Sequence, residues 1–345
     1  MRICYHSLLL SSVLGGGLAA MDFDTGLGIS LSSGYATISA RLRDGAYLDI
    51  AKIEGSERYK TYMLGQNEEP TGDIISSKYC LFSQQICQKY WPLKRVTKPQ
   101  SALAPIIQAL VAAAGSTLDS SINSIAVSAS DLKTINHEVA LRDVQAALSK
   151  VRVFNWKRLD HVAHQLVPAL DLQGRCSDPY ILPEDPRYHA DPAQVILTLD
   201  YTRQSLAAAF WDEECGVLSQ RSALHTPELG HDGLESCRRN EKDVKVCNEG
   251  FKTALLQMLG KPDSNDTIGA VLVIGEYAND DGMLALLRST LKERFSNGGS
   301  IDLALIRELA TEAAYAGSRA SAWAEWGAKS ATRGEEEHVA ARELK

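Results

Sequence analysis

Apolar and polar positions alternate with a period of two early in the chain and with a period near 3.6 later, and this change orders the predicted elements. Residues 28–32 and 35–42 alternate around the turn Ser33-Gly34, and Asp44-Gly45 turns into a third strand over 46–53, so a meander opens the first half. Helical spacing then covers 57–64, 78–88, 103–118, 132–149 and 157–170, with a polar loop at 66–73 and short strands at 122–128 and 151–154. Strand, helix, strand, helix in this order predicts parallel crossover units.

The pattern then restarts. Pro179, Pro183, Pro186 and Pro192 punctuate residues 176–192, the expected connection between a first lobe at 22–175 and a second at 193–328. Residues 194–212 read as a buried strand ending in Asp200, a polar turn and a returning strand; 217–225 continue the meander. Residues 227–248 are polar and charged and are expected to form a long loop. Helices are predicted at 249–259, 283–295 and 303–326, a buried strand at 268–275, and fraying from Arg333 within a charged tail at 329–345. The expected fold class is α/β, with two lobes of one plan, each a mixed sheet flanked by helices. A duplicated plan predicts a cleft where the turns 30–34 and 200–205 face each other.

Bulk properties narrow the function. A chain of 345 residues with 45% hydrophobic and 23% charged residues has material for two cores and is not globally disordered. The formal charge of -7, with basic residues no denser than the pairs Lys94-Arg95 and Arg238-Arg239, argues against a sequence-independent grip on nucleic acid or anionic lipid. Residues 1–20 carry Arg2, an apolar run from Leu8 and small residues before Asp22, the layout of a secretory signal peptide too short to span a membrane. No other segment is read as apolar enough to span one. Of seven cysteines, Cys4 lies in that leader and the remaining even set suits disulfides; Cys237 with Cys247 and Cys80 with Cys87 are the first candidate pairs. Asn265-Asp266-Thr267 is a glycosylation sequon. These features predict a secreted or secretory-pathway glycoprotein, with a cytoplasmic location as the alternative.

In order along the chain, several segments resemble the nucleotide-binding domain of the 70-kilodalton heat-shock chaperones, within the actin-like ATPase superfamily (ribonuclease-H-like fold). Gly28-Ile29-Ser30-Leu31-Ser32-Ser33-Gly34-Tyr35 is similar to the first phosphate loop, and Tyr90-Trp91-Pro92-Leu93 to a His-Trp-Pro-Phe segment. Leu199-Asp200-Tyr201-Thr202-Arg203-Gln204-Ser205 resembles the second phosphate loop, and Leu229-Gly230-His231-Asp232 the Leu-Gly-Gly-Glu-Asp after it. Val271-Leu272-Val273-Ile274-Gly275 resembles the strand before the adenosine loop, and Glu312 to Ala320 the Ala-Tyr-Gly-Ala-Ala helix. The resemblance implies ATP or ADP with Mg as cofactor, Asp200 as a catalytic and metal-water ligand, and Asp160 in place of the water-positioning Glu. It places Ser30, Ser32, Ser33, Gly34, Thr202, Arg203, Ser205 and Gly275 around the nucleotide. On their own chemistry the same serines are turn and capping residues, and Arg203 a surface cation.

The departures point away from hydrolysis. Ser30 stands where the family carries an anionic Asp, and Thr202, Arg203 and Gln204 replace glycines whose backbone admits phosphate. Glu276 adds acid after Gly275, and the family's phosphate-contacting Lys has no counterpart, since Gly72 falls near its position and Lys78 is off register. The outer subdomain of the second lobe is expected to be reduced and the peptide-binding domain absent. His225, His231 and Asp232 match no zinc spacing, and no Gly-x-Ser-x-Gly turn supports a hydrolase. Three classes follow: a non-hydrolysing binding or interaction module, with an unidentified protein as partner and weak or no nucleotide affinity; an active ATPase or small-molecule phosphotransferase with a rebuilt phosphate site; or a secreted structural or interaction protein whose cleft is closed.

Overall fold

The structure, a computed structural model, describes residues 25–65, 98–130, 137–155, 159–176, 190–240, 244–260, 268–295 and 314–343. The first sheet begins with the meander β1 (Gly26–Leu31), β2 (Tyr35–Arg41) and β3 (Tyr47–Glu54). β4 (Ser124–Ala129) joins β1 in parallel, and β5 (Phe154–Asn155) and β6 (Asp160–His161) join β4 in parallel. The order is β3-β2-β1-β4-β5. Helices α1 (Glu57–Met63), α2 (Lys98–Leu118) and α3 (His137–Val151) supply the crossovers. Leu103, Ile107 and Leu110 of α2 and Leu148 of α3 pack with Leu27, Ile29, Leu31, Ile125 and Val127 in one core.

Strand periodicity makes the other face of this sheet different. Alternate positions Gly26, Gly28, Ser30, Thr37, Ser39 and Ser128 are glycines or short hydroxyl residues, a surface that lets a helix come close.

The second sheet repeats the plan. β7 (Gln194–Tyr201), β8 (Leu206–Glu214) and β9 (Val217–Thr226) form an antiparallel meander, and β10 (Ile268–Ile274) joins β7 in parallel, giving the order β10-β7-β8-β9. Val195, Leu197, Leu199 and Tyr201 face the helices α6 (Val244–Leu259) and α7 (Asp281–Arg294), burying Phe251, Leu255, Met283 and Leu287. Ile196, on the opposite face with Thr198 and Asp200, packs instead with Leu166 and Val167 of α4 (Ala163–Ala169) and with Ala316 and Ala320 of α8 (Ala316–Glu343). Thus α4 and α8 form a layer shared by both sheets.

Small residues bring α8 against β1. A Cβ on Gly26 would lie 2.1 Å from the Ala322 carbonyl, and one on Gly28 2.2 Å from Ala322 N and Ser318 O. The buried Glu325 carboxylate accepts from the Leu27 amide and, at 2.6 Å, from Ser124 Oγ, and pairs with Lys329 at 3.0 Å. Arg319 grips Asp49 through two hydrogen bonds of 2.9 and 2.7 Å. At the second sheet, Cys176 is disulfide-bonded to Cys215, and buried Glu213 accepts from the amides of Gly174 and Gly216, fixing the approach to β7 onto the β8–β9 turn.

The two mixed sheets flanked by helices agree with the expected α/β class, while several elements differ from expectation. Residues 227–240 and 244–248 are not a loop: a 3-10 turn at Pro227–Leu229 leads into α5 (His231–Asn240), and α6 begins at Val244. The polarity of α5, whose one buried residue is Leu234, hides its periodicity. α3 continues to Val151, so the strand expected at 151–154 shrinks to Phe154–Asn155. The helix expected over 157–170 is confined to Ala163–Ala169 behind the short strand β6. α8 extends to Glu343, where fraying was expected, and packs on the first sheet although its residues up to 328 fall in the span expected for the second lobe. Its Ser318, Ala320, Ser321 and Ala322 match the small-residue face of β1 better than any apolar sheet. Ser101–Leu118 within α2 is long and apolar enough to cross a membrane by composition, which corrects the reading that no such segment follows the leader; its Leu103, Ile107 and Leu110 are buried in the core. The leader, Asp22, the segments 66–73, 78–88 and 90–93, Cys80, Cys87 and Asn265 lie outside the described residues.

Gly28→Ala is expected to lower stability by about 2 kcal/mol or more, because the new methyl meets helix backbone. Gly250→Ala in α6, where nothing lies within 4 Å, should raise it by about 1 kcal/mol. Urea denaturation of both variants reads the contrast; equal effects would show that close helix approach is not what Gly28 provides.

Candidate functional site

Both sheets present the end of their first strand to the shared layer, and each strand turns there through polar residues. At the end of β1, the Ser32 amide donates to Tyr35 O at 3.0 Å, and the buried Tyr59 hydroxyl donates to Ser32 O and Tyr35 O at 2.8 and 3.0 Å, holding this first turn rigid. At the end of β7, the Thr202 amide donates to Ser205 O at 3.0 Å. The two turns touch. Ser33 Oγ and Thr202 Oγ1 are 2.8 Å apart, and Ser205 Oγ donates to Ser33 Oγ at 2.7 Å, all three residues being buried.

The second turn also satisfies its own backbone. Thr202 Oγ1 accepts the amides of Gln204 and Ser205 at 3.2 and 3.1 Å, and the Arg203 amide donates to Glu276 Oε1 at 3.1 Å. With the Thr202 amide already bonded to Ser205 O, four consecutive N–H groups have acceptors inside the protein. The other Glu276 oxygen takes Lys52 Nζ of β3 at 2.8 Å, so this carboxylate ties the second sheet to the first; Lys52 also sits 4.5 Å above the Tyr35 ring.

Gly275 explains how Glu276 gets there. Its φ of +104° is a backbone conformation that L side chains rarely adopt, and a Cβ would meet Tyr201 O at 2.4 Å and Asp200 Oδ1 at 2.6 Å. The loop after β10 is therefore laid against the end of β7, with the Tyr277 amide donating to Tyr201 O at 3.1 Å. Gly230 allows a similar approach from the other side: its Cβ would lie 2.3 Å from Ser205 N, and the amides of His231 and Asp232 donate to the carbonyls of Thr202 and Arg203 at 2.9 and 3.0 Å.

Asp200 lies beneath this cluster. Burial pushes its carboxyl above the ordinary range; hydrogen bonds from Ser130 and Ser32 pull it down, Glu276 pushes it up again, and His225 lowers it. Asp200 Oδ1 has no hydrogen-bond partner among the described residues. On balance the carboxyl holds its proton more tightly than an ordinary Asp, which works against binding a hard cation.

The structure thus brings together Ser32, Ser33, Thr202, Ser205, Asp200 and Gly275. Gly34 borders the cluster, where a Cβ would come 3.7 Å from Gln204 Cγ. Ser30 sits lower, with its Oγ 2.3 Å from where a Gly317 Cβ would stand, so it fills the β1–α8 contact. Arg203 contributes its amide to the cluster, while its side chain hydrogen-bonds Tyr277. Asp160 is in β6, in register with Ser128 of β4, and is not among the groups that set the Asp200 carboxyl. Cys237 and Cys247 form a disulfide with a Cα separation of 5.9 Å. Sequence reasoning missed Lys52, Tyr59, Ser130, the anchoring role of Glu276 and the Cys176–Cys215 pair. Ser130 had a signal, since it follows a buried strand just as Ser32 follows β1.

Because the folded Asp200 carboxyl titrates above its unfolded value, its contribution to stability is fully present below the unfolded pKa and is lost as pH rises through the folded one. Asp200→Asn, which removes the charge, should therefore stabilise the protein at pH 7 by on the order of 1 kcal/mol. The gap should close near pH 4, about the ordinary Asp value, in urea titrations at the two pH values. An Asp200→Asn protein less stable than wild type at pH 7 would contradict the assignment of a desolvated, weakly satisfied carboxyl.

The chain matches no protein-family model and no curated protein.

Proposed function

We propose that this protein is a degenerate relative of the heat-shock-chaperone nucleotide-binding domain, with an actin-like fold whose interlobe cleft has closed on itself. It acts as a non-hydrolysing interaction module. The observation that carries this reading is the internal satisfaction of the second turn, whose four amides are held by Ser205 O, Glu276 Oε1 and Thr202 Oγ1. In a phosphate loop such amides are left for the ligand. Here Thr202 Oγ1 and Glu276 supply the acceptor oxygens themselves.

A Mg-nucleotide does not fit these residues as arranged. Mg demands an open octahedral shell of oxygens, and the oxygens on offer are a buried carboxyl with a raised pKa and hydroxyls bonded to one another across the cleft. The repeated meander with a parallel fourth strand, and the helical layer shared by both sheets, support the actin-like reading of the architecture. The two disulfides among the described residues fit an oxidising, secretory-type environment.

A second reading, an ATPase or small-molecule phosphotransferase with a rebuilt site, is favoured by one feature. A buried carboxylate oxygen without a partner, as at Asp200 Oδ1, is a common mark of a functional position. Isothermal titration with Mg-ATP separates the two readings. The closed-cleft protein should give no saturable heat up to about 1 mM nucleotide, the weak end of measurable affinity, and no phosphate release. Micromolar binding with turnover abolished in Asp200→Ala would overturn the proposal in favour of the second reading.

A further inference from the structure

We infer that the Cys237–Cys247 disulfide is the clasp that holds the second turn shut, so that the thiol–disulfide state of this pair sets how firmly the lobes are latched. The argument starts from how weakly α5 is otherwise attached. Leu234 is its only buried residue, and a polar tie to α6 comes from Arg238, whose Nη2 donates to Asn248 Oδ1 at 3.2 Å. Cys237 adds a covalent bond to Cys247, and α6 is anchored in the second core through Phe251, Leu255, Met258 and Leu259.

The amino end of α5 carries that anchorage to the turn. His231 and Asp232 donate their amides to Thr202 O and Arg203 O, and Gly230 presses against Ser205 N. The His231 ring stacks on Tyr277 with centroids 3.8 Å apart and planes 15° from parallel, beside the Glu276 that binds the Arg203 amide and Lys52. α5 therefore touches the two segments of the second lobe that reach across to Ser33 and Lys52. Releasing its far end removes the restraint that sets its position over both.

Cys237 is half-buried and Cys247 buried, so a small dithiol meets the Cys237 sulfur first. Its thiolate attacks Cys237 Sγ, the S–S bond breaks, and Cys247 leaves as a thiolate that takes up a proton. The second thiol of the reductant then resolves the mixed disulfide; two cysteine thiols form and the dithiol is oxidised to its own disulfide. Cys176–Cys215 serves as an internal control, because it sits at the far end of β8 from the turn.

The test is amide hydrogen exchange on the full chain in three forms: oxidised wild type, wild type reduced with dithiothreitol, and Cys237→Ser/Cys247→Ser. The last two should exchange at Arg203, Gln204, Ser205 and over 231–240 at least about tenfold faster than the oxidised protein, with β7 and β10 unchanged. Cys176→Ser/Cys215→Ser should leave the turn as in wild type. Unchanged exchange in the turn would overturn the inference, as would faster exchange spread evenly through β7 and β10, or an equal effect from the control pair. The readout does not involve nucleotide, so failure of the closed-cleft reading in titration and failure of the clasp remain separate results.

Discussion

Two polar turns buried against each other must satisfy one another, and much of the structure between the two sheets follows from that requirement. A buried amide without an acceptor costs about as much as a lost hydrogen bond, and here neither water nor ligand is needed to meet the demand. Thr202 meets it by folding its hydroxyl back under Gln204 and Ser205, while Glu276 takes the more exposed Arg203 amide and Ser33 Oγ bonds the hydroxyls of Thr202 and Ser205. Each of these side chains occupies a position that in a glycine-rich loop would be space. Thr at 202 is thus structural, because it supplies the acceptor that a glycine there would lack.

Closure at the turns depends in turn on the layer beneath them. Strand alternation gives the first sheet one face of large apolar residues and one of glycine and hydroxyl residues, and only the second lets α8 approach to backbone contact. With α8 and α4 wedged between the sheets, β1 and β7 end on the same side of the molecule and their turns come within hydrogen-bonding distance. Buried Glu325 fixes the register of that wedge by taking an amide from one end of β1 and a hydroxyl from β4.

The repeated strand plan was legible in the sequence because period-two alternation and tight turns are local signals, and β7 through β9 follow them closely. The turn residues were legible as a group for the same reason. What stayed hidden depends on partners distant in the chain. α5 reads as loop because a helix with one buried side chain has almost no apolar period, and its position depends on a disulfide and on carbonyls of another hairpin. The place of α8 was hidden because alanine and serine carry little hydropathy signal; their use here is their small size, which matters only beside Gly26 and Gly28. The pairing of Cys176 with Cys215 spans 39 residues and follows from the β8–β9 turn, which brings Cys215 back to the incoming chain. The resemblance implies a place for Ser30 beside the nucleotide; two positions before Ser32 on β1, it faces α8, whose small residues lie far along the chain.

The link between β1 and α8 has a consequence for biosynthesis. The Leu27 amide finds its acceptor on Glu325, 298 residues later. While the chain is being made, the first meander can form and cover one face with α2 and α3, but its glycine and hydroxyl face stays open until α8 has left the ribosome. Such late, long-range closure is slow, and it leaves a half-covered sheet to be shielded in the meantime. A face lined with serine, threonine and glycine is suited to that wait: it tolerates water, and it offers little apolar surface to another unfinished chain.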